Sequence, residues 1–123
     1  MAKRKINSTN YINQSFLEKR CALNELIHLM GKRWVTEVFC SIEEGNNRFS
    51  SIKADLKFIS DHILANRLRL LETNKFILCT IFNERPPRVV YMLTKKGVGL
   101  GVLLDGLRDF ADSIPMAETE DFK

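Results

Sequence analysis

Ser51-Ile52-Lys53-Ala54-Asp55-Leu56-Lys57-Phe58-Ile59-Ser60-Asp61-His62-Ile63-Leu64-Ala65-Asn66-Arg67-Leu68-Arg69-Leu70-Leu71-Glu72-Thr73-Asn74 is the stretch on which the fold turns. It holds two helical patterns separated by a few residues. Ser50 is placed to cap a brief helix, Ser51–Leu56, with Ile52 and Leu56 facing inward. Ser60 caps a longer one, whose Ile63, Leu64, Leu68 and Leu71 form an apolar side. Two helices joined by so short a turn make a helix-turn-helix. Asn74 suits the left-handed conformation that ends a helix.

Upstream, a helical pattern starts at Phe16. Its Leu23, Leu26, Ile27 and Met30 follow the i, i+3, i+4, i+7 spacing of one buried face, and Gly31 ends it. A second helix begins near Arg33 and turns Val35, Val38, Phe39 and Ile42 to one side. Gly45-Asn46-Asn47 then marks a turn, and Arg48-Phe49 reads as a short extended piece.

Downstream, Ile77–Phe82 and Val89–Leu93 are rich in β-branched and aromatic residues and read as strands. Asn83-Glu84-Arg85-Pro86-Pro87-Arg88 joins them. Its prolines cannot donate to a ladder, so it is a loop, and the hairpin carries a basic tip. Thr94 caps a last helix, in which Gly97, Leu100, Leu104, Leu107, Ala111 and Ile114 recur in a heptad rhythm. Leu103 and Phe110 widen that stripe, and Pro115 stops it.

With 123 residues the chain suffices for one ordinary domain. It divides into a mobile basic arm (1–14), the main domain (15–115) and an acidic tail (116–123). Hydrophobic residues make up 45% and charged residues 28%, a globular balance. The net charge of +4 favours an anionic partner, nucleic acid before a membrane surface. No apolar run approaches the roughly 18 residues of a membrane span, and no signal core follows the basic start, so a cytoplasmic protein is expected. Cys21, Cys40 and Cys79 fit neither a disulfide framework nor a CxxC metal site, and His28 and His62 are far apart. No nucleophile–base pair or phosphate-cradling glycine loop is present either, so neither an enzyme nor a cofactor or metal is expected.

Several short pieces, in order, carry a family likeness. They are Cys21, Gly31-Lys32-Arg33-Trp34, Arg48-Phe49, Ile59-Ser60, Leu64, Arg67-Leu68, Pro87-Arg88-Val89 and Tyr91-x-Leu93-Thr94, with Gly97 behind them. From Cys21 to Phe110 the chain resembles the HxlR-type winged helix-turn-helix transcription regulators, relatives of the MarR group. The resemblance implies an α+β, mostly helical fold with a small β wing and terminal dimerisation helices. The chain also departs from the family pattern. Phe58 stands where a Gly usually precedes the Ile-Ser pair. Asn74-Lys75 replaces the Gly that usually follows the recognition helix, and Cys79 an Arg frequent in the first wing strand. Ser51 and Phe110 stand for an acidic residue and a Trp.

The function that follows is a homodimeric, sequence-specific regulator on double-stranded DNA. A recognition helix puts its N-terminal half into the major groove. At about 100° per residue, His62, Asn66, Arg69 and Thr73 lie opposite Leu64, Leu68 and Leu71. His62, Ala65 and Asn66 are then placed for base edges, Asn for adenine and Ala for a thymine methyl, with Ser60 at the helix entry. Arg67 has two readings, a phosphate contact or a stem laid on the core with its head on an acid. Arg69 is a phosphate candidate. Arg85 and Arg88 flank the prolines of the wing and suit backbone phosphates or a minor groove. Arg48 and Lys53 add phosphate contacts.

Leu100, Leu103, Leu104, Leu107, Phe110 and Ala111 form the expected two-fold interface, together with the first helix. The bland alternative is that the stripe is core alone. Gly97, Gly99, Gly101 and Gly106 either permit close packing or fray the helix start. Some relatives sense oxidants through a cysteine placed like Cys21, and Lys19 and Arg20 beside it favour a thiolate. A thiol with no role is the competing reading, and an oxidant or small-molecule effector stays open. So does a winged-helix module that binds proteins and no DNA, given Asp61 at the helix entry and Cys79 in the wing.

Overall fold

The computed structural model describes residues 22–114. The basic arm, the start of the first helix, Cys21 and the acidic tail lie outside the described residues. The elements in chain order are α1 (Ala22–Met30), α2 (Val35–Glu43), α3 (Phe49–Leu56), α4 (Asp61–Thr73), β1 (Ile77–Phe82), β2 (Arg88–Leu93) and α5 (Lys95–Ser113).

The described residues up to Thr36 belong to one compact unit. The four-residue apolar face expected on α1 is not a buried face. Leu29 is the buried residue of the helix, whereas Leu23 and Ile27 are 59% and 58% exposed. The repeat is a true helical stripe, but half of it looks into solvent. The helix ends as Gly31 predicts, with Gly31 N–H donating to the Ile27 carbonyl at 2.8 Å. Thr36 Oγ1 donates to the Met30 carbonyl at 3.0 Å and satisfies another end group. Trp34 adopts a φ of 75°, a left-handed conformation that helps set the entry to α2.

From Glu37 onward the second unit contains the helix-turn-helix and the hairpin. Val38, Phe39 and Ile42 of α2 are buried as their spacing predicts. The core adds Ile52 from α3, Ile59 from the turn, Leu64, Leu68 and Leu71 from α4, Phe76, Ile77 and Val90 from the hairpin region, and Leu100 from α5. Burying each of these large side chains contributes about 1.5–3 kcal/mol.

Three local expectations are corrected. Phe49 opens α3 and is not extended; the extended residue is Arg48, at φ −123° and ψ 148°. The cap of α3 is reciprocal and uses Ser51, not Ser50. Arg48 N–H donates to Ser51 Oγ at 3.1 Å, and Ser51 Oγ donates to the Arg48 carbonyl at 2.9 Å. Asn74 keeps φ at −86°, and the left-handed residue is Lys75, at φ 65°. The change of direction after α4 falls one residue later than the sequence suggests.

β1 and β2 pair antiparallel from Ile77↔Leu93 to Phe82↔Arg88. Tyr91 N–H also donates to the Asn47 carbonyl at 2.8 Å, which ties the stretch before α3 to the hairpin. Thr94 caps α5 through Gly97 N–H at 3.0 Å, and its hydroxyl donates to the Lys75 carbonyl at 2.6 Å. Lys96 donates to the Asn74 carbonyl at 3.0 Å and stands over the Phe76 ring. The start of α5 is thus fastened to the end of α4. Among the described residues no helix is long and apolar enough to cross a membrane, and no group of His, Cys, Asp and Glu could hold a metal ion.

Candidate nucleic-acid interface

The candidate interface is built on α4. Ser60 takes an extended conformation, φ −77° and ψ 156°, and its Oγ accepts from Ile63 N–H at 3.1 Å. Leu64, Leu68 and Leu71 anchor the inner side, at 0%, 3% and 0% exposure. The 3.6-residue period then forces His62, Ala65, Asn66 and Arg69 outward, and all four are exposed. Arg67 is half-buried at the rim. Its Nη1 donates to Asn66 Oδ1, so the guanidinium and the neighbouring amide act together. An Asn so held has its amide plane oriented before any contact with a base edge.

Lys53 is placed differently from its expected role. Its ammonium donates to the Ile59 carbonyl and stands 3.3 Å from Asp61 Oδ1. It braces the turn between α3 and α4. It also neutralises the one carboxylate in the first turn of α4, where the helix dipole already favours an anion. The sequence shows both charges and not their pairing, because the partners lie on different helices.

The turn that Lys53 braces has a left-handed Lys57, φ 56°, and a deeply buried Ile59, 1% exposed. Between them Phe58 is 90% exposed. The sequence flags Phe58 only as a departure from a family pattern and gives no sign of its exposure.

The wing places its two arginines unequally. Arg85 is exposed at the tip and has no ion pair, hydrogen bond or ring contact among the described residues. Arg88 is drawn inward, over the Phe82 ring at 4.3 Å from its centroid and 3.1 Å from Glu84 Oε2. Its Nε is buried without an acceptor among the described residues. Arg48, Phe49 and Ser50 share an open groove with Pro87, Val89 and Tyr91, which brings exposed Arg48 beside the base of the wing.

On α5 the expected stripe divides in two. Gly97, Leu100 and Gly101 are buried. Leu100, expected at a partner interface, therefore belongs to the core of its own chain, and Leu104 is half-buried. Leu103, Leu107, Phe110 and Ile114 are 65%, 62%, 62% and 51% exposed, with Val98 and Val102 also in water. Ala111 is exposed as well. The glycines divide likewise. A Cβ on Gly97 or Gly101 would stand 2.1 Å from the Phe76 carbonyl oxygen or from Glu43 Oε2, so these two permit close packing. Gly99 and Gly106 have nothing within 4 Å of that position.

The two described cysteines are poor thiolates. Cys40 accepts from Arg108 Nη2 at 3.2 Å, yet burial outweighs that cation and pushes its thiol up. Cys79 faces Tyr91 across the ladder and is also pushed up, chiefly by burial.

The model of the HxlR-like helix-turn-helix family matches residues 29–119. A curated relative, an uncharacterized HTH-type transcriptional regulator of Methanothermobacter thermautotrophicus, is 34% identical over 90 residues, covering 73% of this chain and 69% of that protein. The HTH-type transcriptional regulator YodB of Bacillus subtilis is 34% identical over 84 residues, covering 68% of this chain and 75% of YodB. The crystal structure of diamide-treated YodB superposes with a TM-score of 0.69 at 31% identity, covering 79% of this chain and 97% of that one.

Proposed function

The chain belongs to the HxlR-like helix-turn-helix family, which makes it a transcription regulator and not an enzyme, and we propose that it works as a homodimer on duplex DNA. The observation that carries this reading is α4 itself. It is capped by Ser60 and anchored by three buried leucines, and it presents His62, Ala65, Asn66 and Arg69 on one outward face. Entering the major groove by its N-terminal half, it offers the Asn66 amide to adenine and the Ala65 methyl to thymine, with His62 beside them. Arg85 at the wing tip, Arg48 and Arg69 reach phosphates or the minor groove. Arg88, stacked on Phe82, supports the wing and adds charge from its base.

The exposed face of α5 pairs with a second copy. Leu103, Leu107, Phe110 and Ile114 recur four, three and four residues apart, the rhythm of a helix–helix seam. Gly99 and Gly106 lie toward the same side and leave room for a second backbone. A two-fold dimer sets two α4 helices on successive major grooves of a pseudo-palindrome. The chain acts in the cytoplasm, where its DNA is.

An oxidant is the effector class that the likeness to YodB supports, since that protein has been crystallised after diamide treatment. In this chain Cys21 is the candidate sensor, preceded by Lys19 and Arg20, because Cys40 and Cys79 are held as thiols.

Selection of bound duplexes from a random pool tests the reading. The expected outcome is an inverted-repeat consensus bound with a stoichiometry of two chains per duplex. Recovery of no enriched sequence, with no binding at low salt, removes it. Diamide treatment of the same complex, with Cys21→Ser as control, tests the effector. Equal affinity in all cases removes Cys21 from the mechanism.

A further inference from the structure

We infer that Phe58 is an additional reader of DNA, packing its ring on thymine methyl groups at the edge of the major groove. This rests on the duplex-binding reading above. Phe58 is the most exposed of the large apolar side chains among the described residues, at 90%. It is not loose. Ile59 on one side is sunk in the core, and Lys57 on the other closes α3 by donating to the Lys53 carbonyl at 2.9 Å. The Lys53 side chain returns to the Ile59 carbonyl and to Asp61. The backbone on both sides of the ring is therefore fastened, and the ring projects from a braced turn.

Its place decides what it meets. Only Ile59 and Ser60 separate it from the first turn of α4. A recognition helix inserted by its N-terminal half brings that turn to the mouth of the groove. The surroundings do not suit a protein partner. No other strongly exposed large apolar side chain lies on α3 or α4 among the described residues, so no apolar patch continues from Phe58 along either helix. Lys57 beside it is exposed and cationic, which favours a nucleic acid backbone nearby. The apolar group such a ring meets at a major-groove edge is the thymine 5-methyl.

An apolar contact leaves a signature that a phosphate contact does not. Its loss lowers affinity without changing the slope of log K against log salt, because the contact releases no counterion. The experiment is fluorescence anisotropy on the selected duplex and on versions with single thymines replaced by uracil, for the full chain and for Phe58→Ala. Phe58→Ala is expected to bind about fivefold more weakly, the scale of one or two buried methylene equivalents. Its salt slope and thermal midpoint should match those of the unaltered chain. At one or two flanking positions, uracil should weaken the unaltered chain and leave Phe58→Ala unaffected, and Phe58→Leu should recover part of the loss. Equal affinity of Phe58→Ala, or equal uracil losses in both proteins at every position, overturns the inference while the duplex-binding reading stands. Absence of binding by the unaltered chain overturns both.

Discussion

Lys53 Nζ lies 3.3 Å from Asp61 Oδ1, so the first turn of α4 carries a carboxylate already matched by a cation from the preceding helix. An acidic residue at this place counts against a DNA-facing helix, and the pairing offsets its charge. The pair is exposed, more so on the Asp side, and contributes only about 0.5 kcal/mol to folding. Asp61→Asn is expected to tighten duplex binding about two- to fivefold at low salt, an effect that fades as salt screens it. Lys53→Ala should weaken binding, because it removes a cation and leaves Asp61 facing phosphate. Anisotropy titrations at two salt concentrations check both.

The wing arginines should separate in the same assay. Arg85→Ala is expected to reduce the magnitude of the salt slope by about one unit, the value for one phosphate contact. Arg88→Ala removes a ring contact and an ion pair within the wing, so it should also lower the thermal midpoint.

The glycines of α5 make a stability prediction with opposite signs. Gly97→Ala drives a Cβ toward the Phe76 carbonyl, a backbone atom that cannot step aside, and should cost about 1–3 kcal/mol. Gly99→Ala meets open space and gains helix propensity, so it should stabilise an isolated chain by about 0.5–1 kcal/mol. Chemical denaturation of each variant, combined with Leu103→Asp and Phe110→Asp so that a single chain is measured, decides this. On the exposed face, Leu103→Asp with Phe110→Asp should give a folded monomer by sedimentation.

Lys75 stands at φ 65°, in the place where the sequence lacks a glycine. A side chain in this conformation costs about 1 kcal/mol. Lys75→Gly should raise stability by a good part of that, since the Thr94 hydroxyl needs only the backbone carbonyl of residue 75. A rise in the thermal midpoint with unchanged duplex affinity is the expected result.

Oxidant or alkylator chemistry should avoid the described thiols near neutral pH. Burial holds Cys40 and Cys79 protonated above their ordinary range. Their reaction with iodoacetamide should be slow at pH 7.5 and rise only as pH passes the normal thiol range, read by mass spectrometry of the native protein.

The sequence carries the fold wherever periodicity and local chemistry agree. Leu64, Leu68 and Leu71 fix the inner side of α4, and Ser60 and Thr94 cap as their residue types predict. Period alone could not say what covers a stripe. Leu23 and Leu107 share the spacing of core leucines, yet they are exposed in the single chain. Nor could it settle competition between neighbouring serines, where Ser51 rather than Ser50 reaches Arg48. The outward residues of α4 follow from its inner side. The Lys53–Asp61 brace and the projection of Phe58 depend on how two helices meet, which no local pattern encodes.

The central claim is that this fold grips duplex DNA through α4 and the wing. The most direct measurement is the equilibrium affinity of the full chain for its selected duplex across a salt series, beside Asn66→Ala. Tight binding at low salt and a linear loss of log K with log salt are expected. Asn66→Ala should lose about tenfold or more with an unchanged slope, because a base contact and not a phosphate contact is removed. No duplex binding at low salt, or binding by Asn66→Ala with undiminished affinity and sequence preference, would contradict it.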